Sequence, residues 1–441
     1  MLDLNNTWKF NLNNFISFLI LLIVPAMLTG PFFPDLLLTI SIILFLTGYK
    51  RLNINFKRFF FNKFSLFFLI FCIYISARSI FTEEQVYSLK SSLFYFRFYI
   101  FSIVIWYLLE SNKNFFKLFV YILFVTFIFV LFDTQLQYHL GTDVFGYKKL
   151  ANRLSGPFGD ELIVGSYLSK VMPLLAGILA ISLFKNKIFT LIPLIFFIVF
   201  TIFLTGERTA LAYSLIFSLI FFFQNKFKYK YIITIISFFL LFVSIFIVLQ
   251  KNLAINDRFI KHPICAMNLN KFKLFKFIDC PNIYKPSNDL VATFDTNEVN
   301  KKIFIFSEAH TYHYLSAFEI FKKNKIFGSG LKMYRFECRD ETVYVNPMSC
   351  TTHPHNIIMQ FIAELGLVGL FFYVVIFTLI IFEIFKNFFR QNNILIICCL
   401  SSFFLSLFPF LPSGNFFNNY NSILAFFPLG FYFYEKNKLK K

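Results

Sequence analysis

The stretch Thr351-Thr352-His353-Pro354-His355-Asn356-Ile357-Ile358-Met359-Gln360-Phe361-Ile362-Ala363-Glu364-Leu365-Gly366-Leu367-Val368-Gly369 sets a dense polar cluster against an apolar run that continues to about residue 385. A run longer than the ~20 residues that cross a hydrocarbon core reads as a transmembrane helix, since lipid offers no partner to an open backbone N–H or C=O. On a helix starting near Pro354, Gln360 and Glu364 stand four apart and share a face. His355 stands near the helix start, where the dipole disfavours an imidazolium and leaves a neutral base or acceptor. The plainer reading is that His353 and His355 cap the helix at the headgroup level.

The same signature recurs along the chain. Apolar runs fall at roughly 15–33, 35–48, 64–77, 93–109, 115–132, 162–184, 188–204, 209–223, 231–249, 356–385, 394–411 and 421–434. Of 441 residues, 58% are hydrophobic and 15% charged, and the mean hydropathy is +0.67; a soluble core of this length does not bury that much apolar surface. The expectation is an all-α polytopic membrane protein of about twelve transmembrane helices. No internal repeat of fixed period is visible, which argues against a repeat-built transporter. Phe15 to Leu28 leads into Pro31-Phe32-Phe33-Pro34 without a small-residue cleavage site, so it reads as a retained first span and not a signal peptide.

The net charge of +19 sits mostly in short segments between apolar runs, the pattern of membrane orientation and not of nucleic-acid binding. Lys50, Arg51, Lys57, Arg58 and Lys63 fall on one side, with Lys185, Lys187, Lys226, Lys228, Lys230, Lys386, Arg390 and the Lys-rich tail. That side is predicted to be cytoplasmic, with both termini on it. Three segments face outward: 133–161, 205–208 and about 250–354. The chain thus divides into residues 1–249 with helices one to nine, 250–354 as a long periplasmic loop, and 355–441 with the last three helices and a basic tail.

Cys265, Cys280, Cys338 and Cys350 lie in the long outer stretch, where an oxidising compartment allows one or two disulfides, Cys338 with Cys350 being a candidate pair. Their spacing lacks the Cys-x-x-Cys of a zinc site, and Cys72, Cys398 and Cys399 read as small apolar residues within spans. Tyr314 to Lys325 carries Leu315, Phe318 and Phe321 before Gly328-Ser329-Gly330, the pattern of a short amphipathic helix along the membrane surface, ended by glycine.

Two further outer segments carry chemistry. Leu204-Thr205-Gly206-Glu207-Arg208-Thr209-Ala210 joins two apolar runs with almost no loop, and a charge at that depth has a partner or a function. Arginine suits a diphosphate, because its planar fork donates two parallel hydrogen bonds to phosphate oxygens; the competing readings are a Glu207–Arg208 pair or a headgroup anchor. In Asn152-Arg153-Leu154-Ser155-Gly156-Pro157-Phe158-Gly159-Asp160-Glu161 the glycines let backbone amides approach an anion and Arg153 adds charge. The run matches neither a Walker loop nor a dinucleotide fingerprint. Arg97 and Lys170, in or near spans, read as paired or snorkelling residues.

From about Asp133 to Gly369 these pieces resemble the O-antigen ligase and O-antigen polymerase superfamily. The matching segments are Asp133 with Gly141 to Gly146, Arg153 to Phe158, Thr205-Gly206-Glu207-Arg208, Asn324-Lys325-Ile326-Phe327-Gly328-Ser329-Gly330, and His353-Pro354-His355-Asn356 followed by Glu364 to Gly369. The resemblance implies a fold like the membrane-embedded class C glycosyltransferases. It implies an inverting glycosyl transfer from an undecaprenyl-diphosphate-linked glycan outside the cytoplasm, without cofactor or obligatory metal. The acceptor is a second lipid-linked glycan for a polymerase and lipid A core for a ligase. Carried over, His355 is the catalytic residue and Arg208 and Arg153 hold the donor diphosphate.

In that scheme His355 takes the acceptor hydroxyl's proton while the arginines neutralise the leaving diphosphate. Supporting roles fall to His353 for orienting His355, Glu207 for aligning Arg208, Arg335 for a sugar or phosphate contact, and Asn356 and Glu364 as motif partners. The chain departs from the family at one point. Many members carry an arginine shortly before the amphipathic helix of the long loop, where this chain has His310 and His313. The arginines and the Cys338 to Cys350 loop look most like the polymerase branch. The competing class is a transporter or flippase of lipid-linked oligosaccharides, which would spread its charges along the bilayer midplane, whereas here they gather at the outer ends of spans.

Overall fold

A polar residue opens most helices of this chain, and an apolar face then carries them through the bundle. Asn11, Asn62, Asn393 and Asn356 each accept a hydrogen bond from the backbone N–H three residues on, meeting one of the donors that a helix start leaves open. The computed structural model describes residues 11–150, 153–182, 191–224, 230–266, 307–344, 347–391 and 393–439. We number the principal helices α1 (Leu12–Ala26), α2 (Phe32–Thr47), α3 (Lys63–Ile80), α4 (Arg97–Ser111), α5 (Phe115–Leu140), α6 (Val164–Ile181), α7 (Leu191–Leu204), α8 (Arg208–Gln224), α9 (Lys230–Lys251), α10 (Glu308–Lys323), α11 (Ile357–Lys386), α12 (Ile394–Ser406) and α13 (Asn419–Lys438).

Each predicted apolar run is occupied by one of these helices, and the described residues hold no strand. Among the described residues seven helical segments are long and apolar enough to cross a membrane, and four shorter apolar helices accompany them. Side chains such as Ile235, Phe242 and Phe382 point outward, each more than 60% exposed. In water such a surface would be an aggregation liability; against lipid it is solvent-matched. The chain is a polytopic membrane protein.

The centre of the bundle is α13 laid against α4 and α12, with α12 against α6. Because lipid tails are as apolar as the helices, hydroxyls act as glue between them. Ser102 Oγ donates to the Phe426 carbonyl (2.6 Å) and Ser402 Oγ to the Lys170 carbonyl (2.6 Å). Arg97 forms a fork to Asp35, at 2.9 and 3.1 Å from Nη2 to the two carboxylate oxygens, as a paired span-end arginine should.

The apolar run of α11 differs from the single straight span read from its sequence. It breaks at Gly366, whose φ of 62° and ψ of −157° belong to a region only glycine adopts without strain. Into the break slides the segment after α10. Ser329 N–H donates to Ala363 O (2.9 Å), Gly330 N–H to Glu364 O (2.7 Å), and Leu367 N–H to Lys325 O (2.8 Å). Two backbones can approach this closely because Gly328 and Gly366 lack Cβ atoms; a Cβ on either would lie 2.4 Å from main-chain atoms of the other segment. The carbonyls left open are met from α3: Tyr74 Oη donates to Leu365 O (2.6 Å), and Arg78 Nε to Gly328 O (2.9 Å). The glycine-rich motifs at 328–330 and 366 are therefore a splice that docks the loop onto the bundle. Gly366→Ala should destabilise the protein by about 3 kcal/mol or more, from strain plus the backbone clash; a lowered thermal midpoint of the detergent-purified protein is the measurement.

The amphipathic helix begins earlier than Tyr314, at Glu308, and has two uses. Ala317 and Ile320 are fully buried, packed with Tyr334, Cys338, Val343 and Ala363, while Leu315 and Phe318 stay 44% exposed on the other face. Cys338 and Cys350 are joined by a disulfide, and Cys265 is disulfide-bonded as well; Cys280 lies outside the described residues. Cys72, Cys398 and Cys399 are free and buried.

Candidate active site

At the end of the bundle where α6, α8, α11 and α13 begin, a cavity of about 750 Å³ opens. Four elements supply its charged residues. Arg153 comes from the loop before α6, Glu207 and Arg208 from the turn between α7 and α8, Arg258 and His262 from the helical turns after α9, and Lys170 from within α6. His310 from α10 and His355 from the mouth of α11 close the site, facing the loop that carries Ser413. Among the described residues four cationic side chains thus face a single carboxylate, and that surplus of positive charge suits an anion.

The arginines gather on the Thr205-Gly206-Glu207 turn. Arg258 Nε donates to the Gly206 carbonyl, and Gly206 has φ of +75° with Arg258 Cδ lying 3.1 Å from where a Cβ would stand. Glycine is required here both for the left-handed turn and for room under the guanidinium. Burial, then the neighbouring charges of Arg153 and Arg208, pull Arg258 down to about 10 from its ordinary 12.5. Such mutual repulsion is relieved by a bound anion. Glu207 has a use besides the alignment of Arg208 expected of it. Its two oxygens accept from the N–H groups of Gly165 (2.8 Å) and Ser166 (3.0 Å), so it clasps the start of α6. Burial pushes its carboxyl up to about 7, against those amides and the charges of Arg153 and Arg258.

The glycine-rich loop before α6 plays a different part from the amide cradle expected of it. The Ser155 and Gly156 N–H groups already donate to Gln137 Oε1, at 2.9 and 3.0 Å, which ties the loop to α5 and presents Arg153 to the cavity. Asn152 lies outside the described residues.

His355 is not part of α11. It has φ of +53°, and Asn356 is the N-cap, its Oδ1 accepting from Met359 N–H (3.1 Å) and its Nδ2 donating to Pro409 O (2.7 Å). The His355 carbonyl accepts from Ser413 N–H (2.8 Å). Three imidazoles surround its ring, with centroids 4.0 Å (His353), 5.1 Å (His313) and 5.4 Å (His310) away. Burial first, and then these neighbours, depress His355 to about 2 from the ordinary 6.5. The shift favours the neutral imidazole expected at this position, through desolvation and imidazole crowding, with His355 itself lying outside α11. His310 and His353 are each lowered to about 4, with burial again the leading cause. His353 is fixed by Thr352 Oγ1 (3.0 Å) and the Ser413 carbonyl (3.3 Å).

Arg335 and Glu364 do not line the cavity. Arg335 reaches the Thr352 carbonyl (3.4 Å) and lies over the Tyr87 ring (5.1 Å), bracing the histidine segment from behind. Glu364 is fully buried beside Gln360 (3.1 Å), whose Nε2 also donates to Asn415 Oδ1 (2.9 Å). Sequence reasoning missed Arg258 and His262, and took Lys170 for a paired or snorkelling residue. Lys170 is only 7% exposed, and its Nζ donates to Asn421 Oδ1 at 3.1 Å. The sequence signal for Arg258 was an arginine in the stretch just after the ninth apolar run; nothing local tells that this stretch folds back over residues 205–207.

Residues 193–374 match the O-antigen ligase family model, which supports the O-antigen ligase and polymerase superfamily as this chain's relation. The matched region contains Arg208, Arg258, His310 and His355, while Arg153 and Lys170 precede it. None of the curated proteins matches the chain.

Proposed function

We propose that this protein is a glycosyltransferase that moves glycan from an undecaprenyl-diphosphate donor to an acceptor sugar hydroxyl on the periplasmic face of the bacterial inner membrane. The observation that carries the reading is one cavity lined jointly by His355 and three arginines. About twelve spans hold it, both termini are cytoplasmic, and residues 250–354 form the outer loop between the first nine spans and the last three.

The donor diphosphate lies against Arg208, Arg153 and Arg258. The acceptor hydroxyl oxygen attacks the anomeric carbon from the face opposite the diphosphate, and His355 accepts the hydroxyl proton as that bond forms. The carbon–oxygen bond to the diphosphate breaks, its electron pair leaves with undecaprenyl diphosphate, and the configuration inverts. The guanidinium groups stabilise charge as it develops on the leaving oxygen, an effect strengthened where water is thin. A diphosphate leaves readily, so cationic stabilisation and one base suffice without a metal or paired carboxylates.

Polymerase and ligase differ in acceptor, and the arginine and cysteine patterns favour polymerase. The test is the surface glycan ladder of a strain lacking this chain. Lipid A core capped with single repeat units identifies a polymerase, and bare core with polymer still on its lipid carrier identifies a ligase. A normal ladder would overturn both.

A further inference from the structure

We propose that Lys170 is a donor-reading cation on the cavity floor, taking an anionic oxygen of the lipid-linked donor; the inference rests on the function proposed above. Its position excludes the ordinary fates of a lysine in a span. Lys170 is the seventh residue of α6, about 9 Å along the helix from Val164 at 1.5 Å per residue. At 7% exposure its side chain ends inside the protein and not on its outer surface. Among the described residues it forms no ion pair within 4.0 Å; its Nζ bonds instead to the amide oxygen of Asn421. Asn421 is oriented for that purpose, its Nδ2 donating to Asn415 O at 2.9 Å.

One neutral amide and the field of the Glu207 carboxylate, which lies beyond ion-pair distance, are all that the described residues set against this buried charge, and an anion in the space beside it would complete the compensation. That space exists, since Lys170 lines the same cavity as the arginines. The lysine is also held where it is. Ser402 Oγ donates to the Lys170 carbonyl at 2.6 Å. The same cavity is lined by Ser166, Tyr213, Ser406 and Asn421, groups suited to sugar hydroxyls. The anionic oxygen has two sources, a carboxylate or phosphate on the first sugar, or the diphosphate itself.

Full-length protein in lipid nanodiscs is titrated with undecaprenyl diphosphate carrying N-acetylglucosamine, and with the same carrier bearing glucuronic acid. Lys170→Gln should weaken at least one by about ten- to hundredfold, the range of a hydrogen bond to a charged group, and Lys170→Arg should retain most of the affinity. A loss confined to the glucuronic acid donor assigns the contact to the sugar carboxylate, and an equal loss for both assigns it to the diphosphate. Binding of both donors by Lys170→Gln within about twofold of the parent overturns the proposal. Should the glutamine variant fail to fold, Lys170→Met fills the same volume without charge and is read in the same way. Binding requires no turnover, so a parent protein that binds neither donor refutes the proposed function, whereas undiminished binding by the variant refutes only the role of Lys170.

Discussion

Replacing His355 with alanine abolishes glycan transfer in a complemented deletion strain while leaving the protein at normal abundance in the membrane. Loss of a general base alone costs about 10²–10⁴ in rate, enough to erase a polymer ladder in growing cells. The fold should survive, since the His355 contacts that hold the segment are made by its main chain, through its carbonyl to Ser413, and Asn356 still caps α11. A ladder of normal length from this variant would sink the catalytic assignment. The same site fixes the acid limb of the pH–rate profile. A base is competent when unprotonated, and His355, His310 and His353 all titrate below the ordinary 6.5. The histidine limb of the profile should therefore stay level from neutral pH down through 6.5 and fall only in more acidic solution, while a loss nearer 7 would report Glu207, whose carboxyl is held up at about 7. Stability follows the same direction. Between about 4 and 6.5 the unfolded chain binds protons that the native imidazoles refuse, so the contribution of these histidines is full above 6.5 and is lost as the pH falls toward 4. His353→Gln, which removes one of the groups holding His355 down, should move the acid limb of kcat/KM upward.

Why some of this was legible in the sequence and some was not follows from the range of the interactions. Apolar runs report burial in lipid directly, and helices occupy all of them. His355 and Arg208 were visible because each borders an apolar run, where a charge or imidazole has few uses besides function, and Arg153 because it stands in a glycine-rich outer loop; the structure places all three around one cavity. The break in α11 was hidden because its cause is another segment. Gly366 reads as an ordinary glycine of a span until Gly328 is known to lie against it. Glu207 reads as a partner for the adjacent Arg208 until Gly165 and Ser166, about forty residues earlier, are brought under its oxygens. The depressed histidine has the same character. Two of its three neighbouring imidazoles come from α10, more than forty residues upstream.

Arg258→Ala lowers kcat/KM for the lipid-linked donor by about 10²–10³, the cost of removing one preorganised stabiliser of developing negative charge. The prediction separates this residue from Arg335, whose guanidinium is spent on the Thr352 carbonyl and the Tyr87 ring. Arg258 stands on the Gly206 carbonyl beside Arg153 and Arg208, and the three like charges oppose one another until an anion arrives. Removing one should leave the empty protein no less stable through electrostatics, while the loaded site loses a charge-assisted hydrogen bond. The thermal midpoint without donor should then hold or rise, and the stabilisation that donor adds should shrink. Arg258→Lys keeps the charge but not the planar fork, and should recover only part of the rate. If Arg258→Ala turns over donor like the parent, the anion is held elsewhere in the cavity and this arginine merely braces the 205–207 turn. If its midpoint falls sharply without donor, the bond to Gly206 outweighs the repulsion relieved.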